Sequence, residues 1–307
     1  MPPRGQPDDL ERTALLRVPG SGPVTIEPLG AGLVNDSYRV MRAGRAYSLR
    51  VPAPEVADLG LDRAWECSVL ERASAAGLAP IIECCEPARG LLVTRWVPGR
   101  PWSSEQAREP KCLAQLAALA RRIHALPPPA PPRLLTPADW VAHYRAVLEP
   151  AQAASGRQHR RDRRAALSGG LEAQLEPRLA ALQASPHHPV LCHSDLHVEN
   201  LIAGEAGLVL LDWEYAHVSE GLWDLAGWAC NNDLDRPART FLLASYLERP
   251  PAAREVQRLE LLVWLYGYVC LLWMEVYVSS RGSRPHLIAS GQRLARRLAR
   301  AAAGRVG

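Results

Sequence analysis

Lysine is almost absent from this chain, and its absence excludes two kinds of enzyme. Of the 36 lysine and arginine residues only Lys111 is a lysine, and it stands between Pro110 and Cys112. The chain therefore has no Gly-Lys-Ser/Thr sequence and no P-loop nucleotide site. A Schiff-base enzyme would have to use Lys111, which occupies an ordinary position in the first turn of a predicted helix.

The chain also lacks the patterns of zinc proteins and of nucleic-acid-binding proteins. Its seven cysteines include no C-x-x-C pair, so we expect no zinc site and reduced thiols in a cytoplasmic protein. The formal net charge is only +4, and acidic residues are interleaved with basic ones, which argues against a nucleic-acid partner. The local exception is the arginine-rich segment 157–164, which could contact phosphate or form a solvated loop.

Signals for secretion and for membrane insertion are missing as well. Residues 1–10 are polar and proline-rich instead of basic and then apolar, so we expect no signal peptide. The longest apolar run, 261–274, ends before Glu275 and is shorter than the roughly 20 residues that span a bilayer. It predicts a buried helix, no integral membrane association and a cytoplasmic protein.

Enough apolar material is present for a folded core, since 48% of the 307 residues are hydrophobic. β-Branched or alternating runs between glycines and prolines predict strands near 24–28, 37–41, 47–51, 81–86 and 91–97, interrupted by one helix, 61–76. Apolar periodicity then predicts helices near 110–125, 137–149, 170–184, 220–231, 236–247, 253–278 and 286–302. The predicted fold class is α+β, with a small antiparallel sheet and one helix in an N-terminal lobe, 1–97, and a mainly helical C-terminal lobe, 98–307. Residues 1–21 are a loose leading segment or a helix.

Two short apolar runs, 201–203 and 208–211, flank a glycine-containing turn and predict a β-hairpin. A hairpin returns its second strand beside its first, so Asn200 and Asp212 should emerge at the same end, about 4.8 Å apart. Asp195 lies in the loop that leads to this end. A few oxygen ligands suit Mg²⁺, which completes its shell with waters and substrate phosphates.

The same stretch resembles a known enzyme superfamily. The spacing His193-x-Asp195-x-x-x-x-Asn200, followed by Asp212-Trp-Glu-Tyr-Ala, is similar to the catalytic loop and metal motif of the aminoglycoside phosphotransferases and choline kinases, which are relatives of the protein kinases. The resemblance implies a protein-kinase-like two-lobe fold and transfer of the γ-phosphate of ATP to a hydroxyl group. It implies that Asp195 is the catalytic base and that Asn200 and Asp212 hold Mg²⁺ on the nucleotide phosphates.

By the same resemblance, three further residues support this site. Glu214 would add a metal ligand, and His193 would support the backbone of the catalytic loop. Asp224, in Gly-Leu-Trp-Asp-Leu-Ala, matches the downstream aspartate that braces this loop in the family.

The N-terminal lobe should then bind the nucleotide. Gly30, Gly32 and Asn35 lie in the connection between the first two strands, where backbone N–H groups could surround phosphate oxygens. Trp96 lies in a segment that resembles the family's last strand and hinge, where backbone groups would bind adenine.

Arg50 stands where a protein kinase has its phosphate-binding lysine, and the following helix offers Glu66 as its ion-pair partner. An arginine here agrees with the choline and thiamine kinase branch, whose third strand resembles this segment. The guanidinium keeps its charge and can bind phosphate oxygens through two donors, so the role survives the change from lysine.

Aromatic residues are concentrated in the predicted helix 253–278. The set, with one acid, is Trp264, Tyr266, Tyr268, Trp273, Glu275 and Tyr277. Helical periodicity places Trp264 and Glu275 with Tyr268 on one face, and Trp273 with the other two tyrosines on another. Such faces could enclose a cationic substrate, and core packing is the alternative. Trp273 is the best candidate, because choline kinases carry a pocket tryptophan in a similar Leu-Trp context.

Three functions remain open at this point. The first is an ATP- and Mg²⁺-dependent kinase of a small cationic alcohol such as choline or thiamine. The second is an aminoglycoside or other sugar phosphotransferase, which would need several carboxylates, for example Glu220, Asp233, Asp235 and Glu248. The third is an inactive nucleotide-binding scaffold, against which the intact Asp195, Asn200 and Asp212 argue. A small-molecule acceptor is the expected partner, and no oligomeric state is predicted.

Overall fold

The computed structural model describes residues 7–53, 58–154, 171–184, 188–204, 207–281 and 284–303. The arginine-rich segment 157–164 lies outside these residues. The strands are β1 (Val24–Ala31), β2 (Asn35–Arg42), β3 (Arg45–Pro52), β4 (Ile82–Glu86), β5 (Leu91–Arg95), β6 (Arg100–Pro101), β7 (Pro189–Cys192), β8 (Leu201–Gly204), β9 (Gly207–Leu210) and β10 (His217–Glu220). The helices are α1 (Pro7–Arg17), α2 (Arg63–Ala75), α3 (Pro110–His124), α4 (Pro137–Ala154), α5 (Glu172–Gln183), α6 (Leu222–Asn231), α7 (Arg236–Leu247), α8 (Ala253–Arg281) and α9 (Pro285–Ala303).

The N-terminal strands form one antiparallel sheet with the order β1-β2-β3-β5-β4. Alternate residues of these strands, Val40, Leu49 and Val93 among them, are fully buried and pack with α1 in one core cluster. The leading segment is therefore a helix over the residues of α1, one of the two forms expected for it. The α+β fold class is confirmed.

Helix α2 follows β3 in sequence and carries its own start and stop signals. The Asp62 side chain accepts a hydrogen bond from the N–H of Trp65 at 2.9 Å, which caps the first turn. Gly77, with φ of 68°, ends the helix in the left-handed conformation that glycine adopts without strain. The predicted helix 61–76 is thus confirmed, with its ends shifted by one or two residues.

Residue contacts divide the chain into two compact units. The first contains Met1–Val56, Leu61–Trp102 and Val198–Tyr215, and the second contains Ala57–Gly60, Ser103–His197 and Ala216–Gly307. The hairpin of β8 and β9 joins the first unit because β8 also pairs with β6, and because Leu210 donates its N–H to the carbonyl of Leu78 at 2.8 Å. Each of these units is built from several segments, whereas the sequence predicted two consecutive lobes, 1–97 and 98–307. The boundary at residue 97 stays a prediction.

In the second unit, the long helix α8 packs against α4, α5, α6, α7 and α9. The residues Ala253–Ser280 are long and apolar enough to cross a membrane by length and composition, but 67% of their most apolar window is buried against the rest of the unit. The helix is longer than the apolar run 261–274 suggested, because polar residues extend it at both ends. Its burial agrees with the predicted core helix.

Two of the seven cysteines are joined in a disulfide, which corrects the expectation that all thiols are reduced. Cys67 of α2 and Cys85 of β4 are 18 residues apart in sequence, and the helix packs beside the strand and brings their Cα atoms to 6.3 Å. That separation lies within the usual range for a disulfide.

Candidate active site

The hairpin of β8 and β9 positions two of the predicted metal ligands. The N–H of Leu211 donates to the carbonyl of Asn200 at 2.8 Å, directly beyond the last ladder pair of Leu201 with Leu210. Asn200 and Asp212 therefore leave the same end of the hairpin, as the sequence predicted. Asp212 has a φ of 57°, a left-handed conformation that aspartate tolerates better than most residues. The role of both residues as metal ligands stays a prediction.

Arg50 of β3 contacts Asp212 at this end of the hairpin. Its Nη1 lies 2.6 Å from Oε1 of Glu66 and 3.1 Å from Oδ1 of Asp212. The predicted ion pair between Arg50 and Glu66 is therefore present. This contact does not test whether Arg50 binds phosphate, which stays a prediction. Burial by itself lowers the pKa of Arg50, but the neighbouring carboxylates outweigh burial and raise the pKa, so the guanidinium stays charged.

A second guanidinium, Arg63, was missed by the sequence analysis. It begins α2, and its Nη1 donates to Oε2 of Glu66 and to Oε2 of Glu214, both at 2.8 Å. Its Nη2 donates to Oδ1 of Asn35 at 2.9 Å. Burial alone raises the pKa of the Glu66 carboxyl, but Arg50 and Arg63 outweigh it and hold this pKa below its ordinary value. The one available signal was the spacing of three residues between Arg63 and Glu66, which places both on one helix face.

Asn35 contributes its side chain to the same cluster. Its Nδ2 donates to Oε2 of Glu214 at 2.7 Å, and the residue is only 6% exposed. Near it, a Cβ on Gly32 would lie 2.4 Å from the carbonyl oxygen of Asn35, so this turn requires glycine. Gly30 lies in β1 beside a register shift that begins at Pro28. The predicted contacts of this connection with phosphate stay predictions.

One carboxylate oxygen of Glu214 is already occupied by hydrogen bonds from protein side chains. Oε2 already accepts from Arg63 and Asn35, so a metal would have to bind through Oε1. Burial raises the pKa of this carboxyl to about 8, and the negative charge of Asp212 adds to the shift while Arg50 and Arg63 oppose it. A cation beside Asp212 and Glu214 would offset this repulsion. Together with the oxygen of Asn200, the donor set is the one that Mg²⁺ prefers, so these residues fit the ion.

Trp96 directly follows β5 in the first unit. Its N–H donates to the carbonyl of Ala46 at 3.1 Å, which extends the pairing of β3 with β5 by one residue. The guanidinium of Arg39 lies 5.0 Å from the centre of its ring. The predicted hinge position is therefore at the end of an interior strand of the sheet, and adenine binding there stays a prediction.

The predicted catalytic loop, from His193 to Asp195, belongs to the second unit, where Asp224 of α6 holds its backbone. The fully buried Asp224 carboxylate accepts from the N–H of His193 at 3.0 Å and from the N–H of Ser194 at 2.7 Å. His193 in turn accepts from the N–H of Asp195 through Nδ1 at 3.3 Å. These contacts hold the backbone of the loop in place, and the supporting role of Asp224 and His193 in catalysis stays a prediction.

A histidine that the sequence analysis did not single out completes this arrangement. Nε2 of His124 donates to Oδ2 of Asp224 at 3.0 Å, which leaves Nδ1 to accept from the hydroxyl of Tyr246 at 2.8 Å. Gly221 makes room for this pair, since a Cβ there would lie 2.7 Å from the Tyr246 hydroxyl and 2.9 Å from Nδ1 of His124. The catalytic loop is thus tied to α3, α6 and α7.

Ser194 precedes Asp195 and has a φ of 67°. Its Oγ lies 2.9 Å from Nδ1 of His217, and the indole N–H of Trp140 donates to Nε2 of the same ring at 3.4 Å. Because an indole can only donate, Nε2 accepts and Nδ1 carries the proton that the serine oxygen receives. His217 therefore holds Ser194 in place and does not activate it as a nucleophile.

Packing distinguishes the two aromatic faces of α8. The hydroxyl of Tyr266 donates to the carbonyl of Ser194 at 3.3 Å, beside Asp195, and Trp273 lies two turns further along the same face. Burial raises the pKa of the Cys270 thiol, and the nearby carboxylate of Asp195 adds to that rise, so this face lies close to Asp195. Trp273 stacks on Tyr277, with ring centres 5.4 Å apart, and remains partly exposed.

The opposite face of α8 belongs to the core. The indole N–H of Trp264 donates to the carbonyl of Leu298 at 3.2 Å, Tyr268 stacks on its ring, and the guanidinium of Arg178 lies 4.2 Å from the ring centre. Glu275 shares this face and lies near Tyr268, whose pKa is raised mainly by burial and in part by the Glu275 charge. Trp264 therefore packs as a core residue, whereas Glu275 is partly exposed. The place of both residues in the acceptor pocket stays a prediction, because helical periodicity alone did not indicate which face meets the predicted catalytic loop.

A model of the phosphotransferase enzyme family matches residues 25–259. This chain belongs to that family. Protein LicA of Haemophilus influenzae is 26% identical over 216 residues, which are 70% of this chain and 60% of that protein.

Solved structures agree on the fold. A choline/ethanolamine kinase family protein from Mesorhizobium loti superposes with a TM-score of 0.74 at 24% identity, over 96% of this chain and 94% of that one. The choline kinase LicA from Streptococcus pneumoniae gives 0.72 at 20% identity, over 97% and 98%. A spectinomycin phosphotransferase, solved with ADP and spectinomycin, gives 0.60 at 14% identity, over 95% of each chain.

Proposed function

We propose that this chain transfers the γ-phosphate of ATP to the hydroxyl of choline or a closely similar cationic alcohol. The observation that carries the proposal is the aromatic face of α8 that runs from Tyr266, bonded to the catalytic loop, to the partly exposed Trp273. An aromatic face attracts a quaternary ammonium group. The names of the similar proteins, a choline kinase and a choline/ethanolamine kinase family member, support the same acceptor.

In this reaction the acceptor oxygen bonds to the γ-phosphorus, the bond from that phosphorus to the bridging oxygen breaks, and ADP leaves. Asp195 orients the acceptor hydroxyl and takes its proton. Arg50 binds phosphate oxygens, and Asn200 and Asp212 are the residues that would hold Mg²⁺. When bound, Mg²⁺ neutralises charge that develops on the phosphate oxygens. The ADP in the spectinomycin phosphotransferase supports an adenine nucleotide as the donor.

The surroundings of the candidate carboxylates disfavour an aminoglycoside as the acceptor. A polyamine substrate would need several acids directed at it, but Glu220 is 2% exposed and paired with Arg258. Asp235 caps α7 through the N–H of Ala238. The other two acids, Asp233 and Glu248, form ion pairs with Arg297 and Arg121.

The acceptor is tested by measuring Mg²⁺-dependent ATP consumption with choline, ethanolamine, thiamine, kanamycin and spectinomycin. We expect the highest kcat/KM with choline. Kanamycin or spectinomycin as the best acceptor would overturn the proposed acceptor, and no turnover of any of the five would leave only family membership.

Trp273→Leu is expected to raise KM for choline about 2- to 30-fold, because a cation–π contact contributes about 0.5 to 2 kcal/mol. KM for ATP should not change. The uncharged carbon analogue of choline, with a tert-butyl group in place of trimethylammonium, is the control, since its KM should rise less. An equal rise for both acceptors would mean that Trp273 contributes shape and not cation binding.

Arg50→Met is expected to weaken ATP binding about 10- to 100-fold, because a buried charge-assisted contact with phosphate is lost. The binding of ADP, which shares the α- and β-phosphates of ATP, is measured by calorimetric titration. If ADP affinity is unchanged and only KM for the acceptor rises, Arg50 belongs to the acceptor site instead.

A further inference from the structure

Arg63 connects three elements of the first unit through one side chain. It lies on α2, and it bonds Glu66 on the same helix, Asn35 at the start of β2 and Glu214 in the segment after β9. The side chain is only 17% exposed. The Asn35 amide closes the ring by donating to the same Glu214 oxygen that Arg63 binds.

Only a guanidinium can make this set of contacts. Two nitrogen atoms in a rigid plane reach three acceptor oxygens at 2.8, 2.8 and 2.9 Å. An ammonium group is a single point charge on a flexible stem and cannot span the same acceptors. The geometry of the cluster therefore depends on arginine and not on positive charge alone.

The two arginines divide the carboxylate oxygens between them. Oε1 of Glu66 lies 2.6 Å from Arg50, whereas Oε2 accepts from Arg63. Oε2 of Glu214 lies 4.0 Å from Nη1 of Arg50 but only 2.8 Å from Nη1 of Arg63. Without Arg63, both carboxylates would compete for Arg50, which already contacts Asp212.

We propose that Arg63 is a positioning residue of the nucleotide site, which holds Glu66 and Glu214 so that the Arg50 guanidinium remains available to phosphate. The inference rests on the proposed function, because it assigns phosphate binding to Arg50. Arg63 acts through its neighbours and does not itself touch the nucleotide.

The test measures ADP binding by calorimetry in EDTA, so that metal ligation does not contribute. Arg63→Met should weaken ADP binding about 10-fold or more, and Arg63→Lys should restore only part of the loss. In steady-state assays KM for ATP should rise while KM for the acceptor does not change. Arg72→Met is the matched control. Arg72 lies on the same helix, and in the contacts described its Nη1 donates only to the backbone carbonyl of Ser68, at 2.8 Å. This variant should bind ADP like the wild type.

A double variant separates positioning from loss of folding. Arg63→Met combined with Glu214→Ala should bind ADP more tightly than Arg63→Met alone, because the side chain that competes for Arg50 has been removed. If Arg63→Met does not fold, the same comparison is made with Arg63→Lys. Wild-type affinity in Arg63→Met, or no recovery in the double variant, would overturn the inference while the proposed function stands. Failure of the wild type to bind ADP would overturn both.

Discussion

Asp195→Asn should lower kcat by about 10²- to 10⁴-fold while ADP affinity changes little, because a general base contributes about this much to the rate. Asparagine has the shape of aspartate but cannot take the acceptor proton. The loop should keep its form, since it is held through backbone N–H groups that bond His193 and Asp224, which the substitution does not alter. Steady-state turnover with the best acceptor measures kcat, and calorimetric titration with ADP measures the affinity for the nucleotide.

Glu199→Gln is the matched control for this prediction. Glu199 is an exposed acid only four residues further along, and the same charge is removed without touching the proposed base. Its turnover should stay within a few-fold of the wild type. Normal turnover in Asp195→Asn would remove the assignment of the base, and a loss of ADP binding would move Asp195 to the nucleotide site.

The elements of the fold were predictable because local signals set them. Alternating apolar residues and glycine turns indicated the N-terminal strands, and Gly77 marked the end of α2 to within two residues. The pairing of the two-residue strand β6 with β8 was not predictable, because its partners are about 100 residues apart and β6 is too short for a periodic pattern. The disulfide between α2 and β4 was not predictable either, because its cysteines, 18 residues apart, meet only through the packing of the helix beside the strand.

The candidate site was predictable only where a motif or a hairpin defined it. The spacing from His193 to Asn200 and the return of the hairpin to Asp212 are both local, so sequence reasoning could use them. Arg63 contacts Glu214 across 151 residues, and His124 contacts Asp224 across 100. Buried polar contacts of this kind have no sequence period, because each depends on how distant elements pack.

The aromatic helix shows the limit of periodicity in another way. The 3.6-residue repeat separated Trp273 from Trp264 correctly, yet nothing in the repeat tells which face meets the catalytic loop. That choice follows from tertiary contacts, the bond of Tyr266 to Ser194 on one side and of Trp264 to Leu298 on the other.

Asp224→Asn is expected to lower the free energy of unfolding by about 3 to 5 kcal/mol, the usual loss when one partner of a buried polar pair is removed. The carboxylate is fully buried and accepts from two backbone N–H groups and from His124. An amide would direct its own N–H₂ at one of these donors and leave that donor without an acceptor. Urea unfolding followed by tryptophan fluorescence measures the loss.

Asp233→Asn is the control for this prediction, because Asp233 pairs with Arg297 at the surface with its side chain 62% exposed. Its loss of unfolding free energy should be below about 1 kcal/mol.

The pH dependence of the unfolding free energy gives an independent check. Burial alone would raise the pKa of Asp224, but the hydrogen bonds from His124 and from the N–H of Ser194 lower the pKa below its ordinary value. A carboxyl with a lowered pKa stabilises the fold fully above its ordinary pKa and loses that contribution as pH falls through its folded value. The difference between wild type and Asp224→Asn should therefore be full near neutral pH and shrink in acid. A difference that is independent of pH would mean that the charge of Asp224 does not stabilise the loop, and that its contribution is one of shape alone.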